Sequence, residues 1–377
     1  MQSRSMPDSS SVTAVGDGSP RKTEPSLLVN LNTLRALAAL AVVYFHTTSV
    51  AGLNLRLSVG SRGVDIFFVI SGFIIAYIGS RNADHFFTRR LIRIVPFYWA
   101  ATFAVFSVVL VLPNLLRSTQ PDITQLFCSL FFIPRETGYS GMFPTLVLGW
   151  SLNYEMYFYV VFSLSLLISR RLAPVICCVA ITAIMLIIRA SGAENPSIQF
   201  YARPLVFEFV FGIGIFYLLY WLERYRAVLD AAVSGKIFLA ILLLASVATI
   251  FFAEYRNGFG LPRPLISGIS AFFIVFSAIM LERIYRVKID SRILFLLGES
   301  SYILYLIHPY IVFGLLRTVL RGAHNESSPA IIIIIVSLLA ISSACAITIH
   351  LLFEKPVMQW LRRRMLGEGL PRADETR

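Results

Sequence analysis

The sequence predicts an all-α fold: a polytopic membrane helix bundle of about ten transmembrane helices with both termini in the cytoplasm. Of its 377 residues, 57% are hydrophobic and only 14% charged, and the mean hydropathy of +0.74 exceeds what an ordinary soluble domain of this length shows. Apolar segments of about 17 to 24 residues recur from end to end, each long enough to cross a hydrocarbon core of about 30 Å as a helix. The basic residues between these segments are distributed unevenly, which sets the orientation.

Ten segments qualify in chain order: 31–50, 63–80, 94–112, 148–168, 173–190, 203–221, 236–253, 264–282, 299–318 and 329–352. They belong to one membrane domain over residues 29–360, with a polar, Ser- and Pro-containing tail at 1–28 and a basic tail at 361–377. The first tail has no apolar stretch before Leu28, so it reads as disordered chain rather than a secretory signal. Leu126 to Ile133 is too short to span and is flanked by Pro121 and Pro134, so it is expected to lie at the interface or re-enter. With the N-terminus inside, the cytoplasmic segments carry 22 Lys and Arg against ten outside, among them Arg56, Arg117, Arg256 and Arg321. That asymmetry implies both termini in the cytoplasm and an even number of spans in a multi-pass membrane protein. The net charge of +12 needs no nucleic acid, because basic loops beside anionic lipids account for it. The four cysteines lie in apolar runs without metal spacing, so no metal is expected.

The chemistry is expected where ionisable residues enter apolar segments, since each costs several kcal/mol unless paired or wetted. Arg35 and His46 share the first span, eleven positions apart. At about 100° per residue they fall on one helical face, with His46 about 16 Å further out. Asp65 opens the second span, while Glu155 and Glu208 enter the fourth and sixth from the same outer side. The economical expectation is one polar cavity shared by His46 and the three carboxylates; the alternative is that they only join helices by hydrogen bonds. On the opposite side Arg90 and Arg93 stand one helical turn apart, a fork suited to phosphate. Arg170-Arg171 and Arg362-Arg363-Arg364 read as membrane anchoring alone. In the ninth span Tyr302, Tyr305 and Pro309 are helically spaced around His308, and Pro309 interrupts the backbone ladder.

Five ordered stretches then carry a resemblance: Arg35 to His46, Phe67-Phe68-Val69-Ile70-Ser71-Gly72-Phe73, Arg90-Leu91-Ile92-Arg93, Trp150 to Tyr159, and Ser301-Tyr302 through His308-Pro309. Together, over about residues 29 to 360, the chain resembles the acyltransferase-3 family of bacterial membrane O-acyltransferases, and within it the exopolysaccharide-modifying members. The resemblance implies an acyl-CoA donor, usually acetyl-CoA, taken from the cytoplasm. It also implies transfer to a hydroxyl of a surface polysaccharide or lipid-linked glycan, with polysaccharide-synthesis machinery as a possible partner. Mapped onto this chain it implies His46 as catalytic base or acyl carrier with Arg35 below it, Glu155 as the acidic residue of the fourth-span motif, Arg90 and Arg93 at CoA, and Tyr302 and His308 in support. The end of the sequence at Arg377 leads to the expectation that the periplasmic domain of some members is absent.

A sugar hydroxyl is a poor nucleophile at neutral pH, and imidazole is the natural base to activate it. A carboxylate such as Glu155 or Asp65 is the expected partner to fix the tautomer of His46. No Ser or Cys occupies a nucleophile-elbow motif, which favours direct transfer or an acyl-histidine over acyl-serine. A secondary transporter or glycan-lipid exporter is the competing class, because buried carboxylates and a histidine also suit proton coupling.

Overall fold

The computed structural model describes residues 28–50, 58–112, 119–139, 141–230, 233–255, 263–319 and 328–367. Both outermost tails, including Arg4, Arg21, Lys22, Arg372 and Arg377, and the loop residues Arg56, Arg117, Arg256 and Arg321 lie outside the described residues. In order, the helices are α1 (Val29–Val50), α2 (Gly63–Arg81), α3 (Phe86–Val111), α4 (Ile123–Leu130), α5 (Gly149–Ile168), α6 (Ala173–Ala190), α7 (Pro196–Phe200) and α8 (Phe207–Leu222). They continue with α9 (Arg226–Asp230), α10 (Val233–Tyr255), α11 (Ile269–Arg283), α12 (Arg292–Glu299), α13 (Ser301–Val319), α14 (Ser328–Ile349) and α15 (Lys355–Leu366). No strand occurs among the described residues; one isolated bridge joins Thr137 and Gly141.

The fold is therefore all-α, and the chain is a multi-pass membrane protein. Eight helices among the described residues are long and apolar enough to cross a membrane. The remaining two of the ten expected segments coincide with α1 and α13. α1 is 22 residues long, but Asn30, Asn32, Arg35 and His46 dilute its apolar character. α13 is separated from α12 by Ser300. α3 begins eight residues before the expected segment, so Arg89, Arg90 and Arg93 belong to its first turns rather than to a loop.

α1 stands inside the bundle, packed on α2, α11, α12, α13 and α14. Its first turn is tied down by polar groups: the Glu282 carboxylate accepts from the backbone nitrogens of Val29 (3.0 Å) and Asn30 (2.8 Å). A carboxylate there satisfies orphan donors and complements the helix dipole. The Asn30 side chain donates to Val287 O and accepts from the nitrogen of Ile289, and Asn32 donates to Phe295 O. These bonds fix both the height and the rotation of α1, and with them the places of Arg35 and His46.

α2 and α8 approach through two glycines. A Cβ on Gly72 would lie 2.2 Å from Phe209 O, and one on Gly212 would lie 2.1 Å from Val69 O. Around this crossing Phe209 stacks on Phe68 and Phe158. The expected interfacial run forms α4, which buries Gln125, Leu126, Ser129 and Leu130 while exposing Ile123 and Phe127. Asp122 caps it, accepting from Gln125 N (2.9 Å) and from Arg135 (2.7 Å). The Arg135 hydrogen bond holds the Asp122 carboxyl below its ordinary range. This support is present at neutral pH and fades as pH falls through the lowered value.

The crossing yields a paired prediction. Gly212→Ala is expected to lower the melting temperature in detergent, at a cost on the order of 1–3 kcal/mol for overpacking. Gly214→Ala, whose added methyl meets nothing within 4 Å, should be neutral or slightly stabilising. Equal melting temperatures for the two variants would contradict the close α2–α8 approach.

Candidate active site

A cavity of about 560 Å³ lies between α1, α2, α3, α5, α13 and α15. Its described walls carry six arginines, Arg35, Arg81, Arg89, Arg90, Arg93 and Arg362, and a single carboxylate, Glu155. The cavity reaches the surface beside the α2–α3 turn, where Arg81 and Asn82 are exposed. Such an excess of positive charge in a partly buried space selects for a polyanion, because arginine forks match phosphate geometry.

Each charged group in the wall is held by its helix. Arg35 is buried and donates to Ser301 Oγ (2.9 Å), which in turn donates to Gly298 O (2.7 Å). Arg90 is buried with its guanidinium over the rings of Phe86 (5.3 Å) and Tyr159 (5.8 Å). No salt bridge joins Arg35, Arg90 or Arg93 to a carboxylate among the described residues. Glu155 Oε1 accepts from Tyr159 OH (2.5 Å) and Ser71 Oγ (3.3 Å), so the hydrogen-bond partners of this carboxylate among the described residues are hydroxyls rather than an arginine. Tyr302 crosses from α13 to donate to Ile94 O on α3 (2.7 Å).

Tyr305 also lines the cavity, with its hydroxyl paired to Ser151 Oγ (2.8 Å). Its ring lies 6.1 Å from that of His308, one turn along α13. Beyond it the rings of His308 and His46 meet at 5.1 Å. His46 Nδ1 is 3.0 Å from Val42 O and 3.3 Å from His308 Nε2, while His308 Nδ1 is 2.9 Å from Leu304 O. Carbonyl oxygens only accept, so each Nδ1 is assigned the proton. His308 Nε2 then accepts from His46 Nδ1–H, and the remaining lone pair of His46 stands on Nε2. This is an imidazole with its tautomer set and its basic nitrogen uncommitted.

The expected single cavity of four polar residues is thus not what the fold builds. Glu155 joins the arginines, and His46 joins His308. Asp65, fully buried, receives a two-pronged bond from Arg263 (Nη2 to Oδ2 2.6 Å, Nε to Oδ1 3.0 Å). Buried Glu208 lies beside that pair and against Gly268. Asp65 opens α2 on the face turned toward the entry of α11, and the bidentate bond commits it there. Neither Asp65 nor Glu155 is the orienter of His46, a role taken by a carbonyl and a second imidazole.

Sequence reasoning passed over Ser71, Ser301, Tyr159, Arg81, Arg89 and Arg362 as wall residues, and it also missed the pair His350–Glu354. His350 Nδ1 is 2.6 Å from Glu354 Oε2 across a π-helical turn, His350–Glu354, and both side chains are buried. Glu354 lies within electrostatic reach of Arg35 and Tyr302. The i, i+4 spacing of this pair was visible in the sequence; its closeness to Arg35 was not, because it depends on the packing of α14 against α1.

Residues 28–349 match the sequence family described as an acyltransferase domain, acyltransferase-3. The chain is 32% identical over 337 residues to the exopolysaccharide production protein ExoZ of Rhizobium meliloti, covering 86% of this chain and 98% of that protein. It is 26% identical over 320 residues to the O-acetyltransferase OatA of Staphylococcus aureus, covering 77% of this chain and 51% of that protein. It is 30% identical over 323 residues to the putative peptidoglycan O-acetyltransferase YrhL of Bacillus subtilis, covering 75% and 48% respectively. The match thus spans about half the length of the latter two. No solved structure matches.

The Asp65–Arg263 pair predicts an asymmetry. Arg263→Ala strands a fully buried carboxylate next to Glu208 and is expected to cost about 3–5 kcal/mol. Asp65→Ala leaves an arginine whose side chain is 35% exposed and can turn to water, so it should cost less. Thermal unfolding in detergent measures both; equal losses would contradict the arrangement.

Proposed function

The chain belongs to the acyltransferase-3 family, and from that premise we propose that it moves an acetyl group from cytoplasmic acetyl-CoA to a hydroxyl of an exported or lipid-linked polysaccharide. Family membership makes it an O-acyltransferase rather than the transporter that buried carboxylates alone would also fit. The names of its relatives, an exopolysaccharide production protein and two O-acetyltransferases, support a glycan acceptor and an acetyl donor. On this reading the chain has ten spans with both termini cytoplasmic in the bacterial inner membrane; the basic loops support that orientation, in which the arginine-lined cavity opens on the side where acyl-CoA is made.

One observation carries this reading: α1 alone places Arg35 in the arginine-lined cavity and His46 against His308 about three turns away. A donor with phosphates at one end and a thioester at the other suits that division. Its phosphates meet Arg90 and Arg93, and its uncharged arm runs past Tyr302 and Tyr305 toward the histidines. His46 Nε2 takes the proton of the acceptor hydroxyl as the oxygen attacks the thioester carbonyl. The carbon–sulfur bond breaks, the ester forms, and His46 returns the proton to the departing thiolate sulfur. His308 Nε2 and Val42 O accept from Nδ1–H throughout, which steadies the imidazolium that forms. Arg35 stands on the donor's path, about three turns short of His46, where it leads the CoA inward.

Labelled acetyl-CoA, membranes containing the chain and the host's surface polysaccharide test the reading. His46→Ala should lower label transfer about 10²–10⁴-fold at unchanged protein level; near wild-type transfer would remove the base from the mechanism. Arg90→Ala and Arg93→Ala should each raise the KM for acetyl-CoA about tenfold or more, as loss of a charge-assisted bond does, with little change in the acceptor's KM. Unchanged donor KM in both would return the pair to membrane anchoring.

A further inference from the structure

Three adjacent arginines, Arg362, Arg363 and Arg364, have the same chemistry and different surroundings. Arg363 and Arg364 are exposed, whereas Arg362 is half-buried, lines the cavity, and has its Nε buried without a hydrogen-bond partner. The difference originates in the π-helical turn His350–Glu354, which joins α14 to α15. An extra residue in one turn shifts everything after it by about 100° around the axis. The His350–Glu354 hydrogen bond spans that turn. α15 then packs on α3, and Arg362 joins the lining of the cavity that Arg81 also lines, the Arg81 guanidinium sitting 4.0 Å over the ring of Tyr77.

The arginines consequently form two groups. One group is on α1 and α3, where Arg35 and Arg90 are buried and Arg89 and Arg93 half-buried; the other is Arg81, exposed at the end of α2, and half-buried Arg362 on α15. A ligand with one phosphate cluster would leave one group unused. CoA carries two, a diphosphate along the chain and a separate phosphate on the 3′ carbon of its ribose. We infer that Arg362, with Arg81, forms a second anion subsite for the ribose 3′-phosphate, while Arg90 and Arg93 take the diphosphate. The assignment rests on the acyl-CoA donor proposed above and adds to it a specificity element: the site distinguishes CoA thioesters from those of 3′-dephospho-CoA.

Binding of CoA and of 3′-dephospho-CoA to the full-length protein in nanodiscs tests this. Wild type should bind CoA about tenfold or more tightly than 3′-dephospho-CoA, in keeping with a charge-assisted contact. Arg362→Ala should lose that preference by weakening CoA alone, and Arg362→Lys should recover part of it. Arg363→Ala and Arg364→Ala should leave both affinities unchanged. If Arg362→Ala does not fold, Arg81→Ala gives the same readout. Equal weakening of both ligands, or of neither, overturns the subsite while leaving the donor reading intact. Failure of wild type to bind either ligand overturns the donor reading itself and this inference with it.

Discussion

A guanidinium buried inside a membrane bundle without a carboxylate partner is the constraint around which this structure is organised. Arg35 lies in that position, with Ser301 as its hydrogen-bond acceptor. Glu155 and Glu354 lie within electrostatic reach but form no ion pair with it, and a buried charge so held is tolerable beside water or a ligand. The fold accordingly leaves a cavity next to it and adds five more arginines to the walls, with Glu155 as the single described carboxylate there. Had these arginines been paired one by one, as Arg263 is with Asp65, the result would have been helix cement. With no salt bridge from Arg35, Arg90 or Arg93 to a carboxylate among the described residues, they make a space whose electrostatics are completed by something brought from outside.

That cavity requires α1 to be held rigidly, and the means are polar. Glu282 caps its first turn, and Asn30 and Asn32 bond to the backbone of α11, of the segment after it and of α12. Apolar packing in lipid is weakly directional, since lipid tails solvate side chains as well as a neighbouring helix does. Hydrogen bonds to named carbonyls define rotation. The close glycine contacts between α2 and α8 do comparable work on the other side, backing the wall residue Phe68 with Phe209 and, behind it, Phe158.

The sequence made the membrane class, the helix positions and the main polar residues readable, because hydropathy and the price of buried charge are local properties of a segment. Pairing was not readable. Rise per residue put Asp65, Glu155, Glu208 and His46 at comparable depth, yet depth does not say which way a side chain turns about its helix axis. Glu155 turns to Tyr159 and Ser71, Asp65 to Arg263, and His46 to His308. Arg362 was hidden for a related reason: a π turn upstream alters the phase of α15, and nothing in a run of three arginines marks which of them faces inward.

The separation between the arginines and the histidine pair also has a chemical logic under the proposed reaction. A general base works best as a neutral imidazole with one nitrogen committed, and a phosphate site works best with many fixed positive charges. Placing both in one pocket would set the imidazolium formed during the reaction against several guanidinium groups. α1 resolves the conflict by distance, holding the two functions about 16 Å apart on one rigid helix, with Tyr302 and Tyr305 between them. Such a gap suits a donor whose reactive end is carried on a long uncharged arm, and a compact acyl phosphate would not bridge it. Under the proposed reaction the eleven-residue spacing of Arg35 and His46 is then itself a determinant of donor choice.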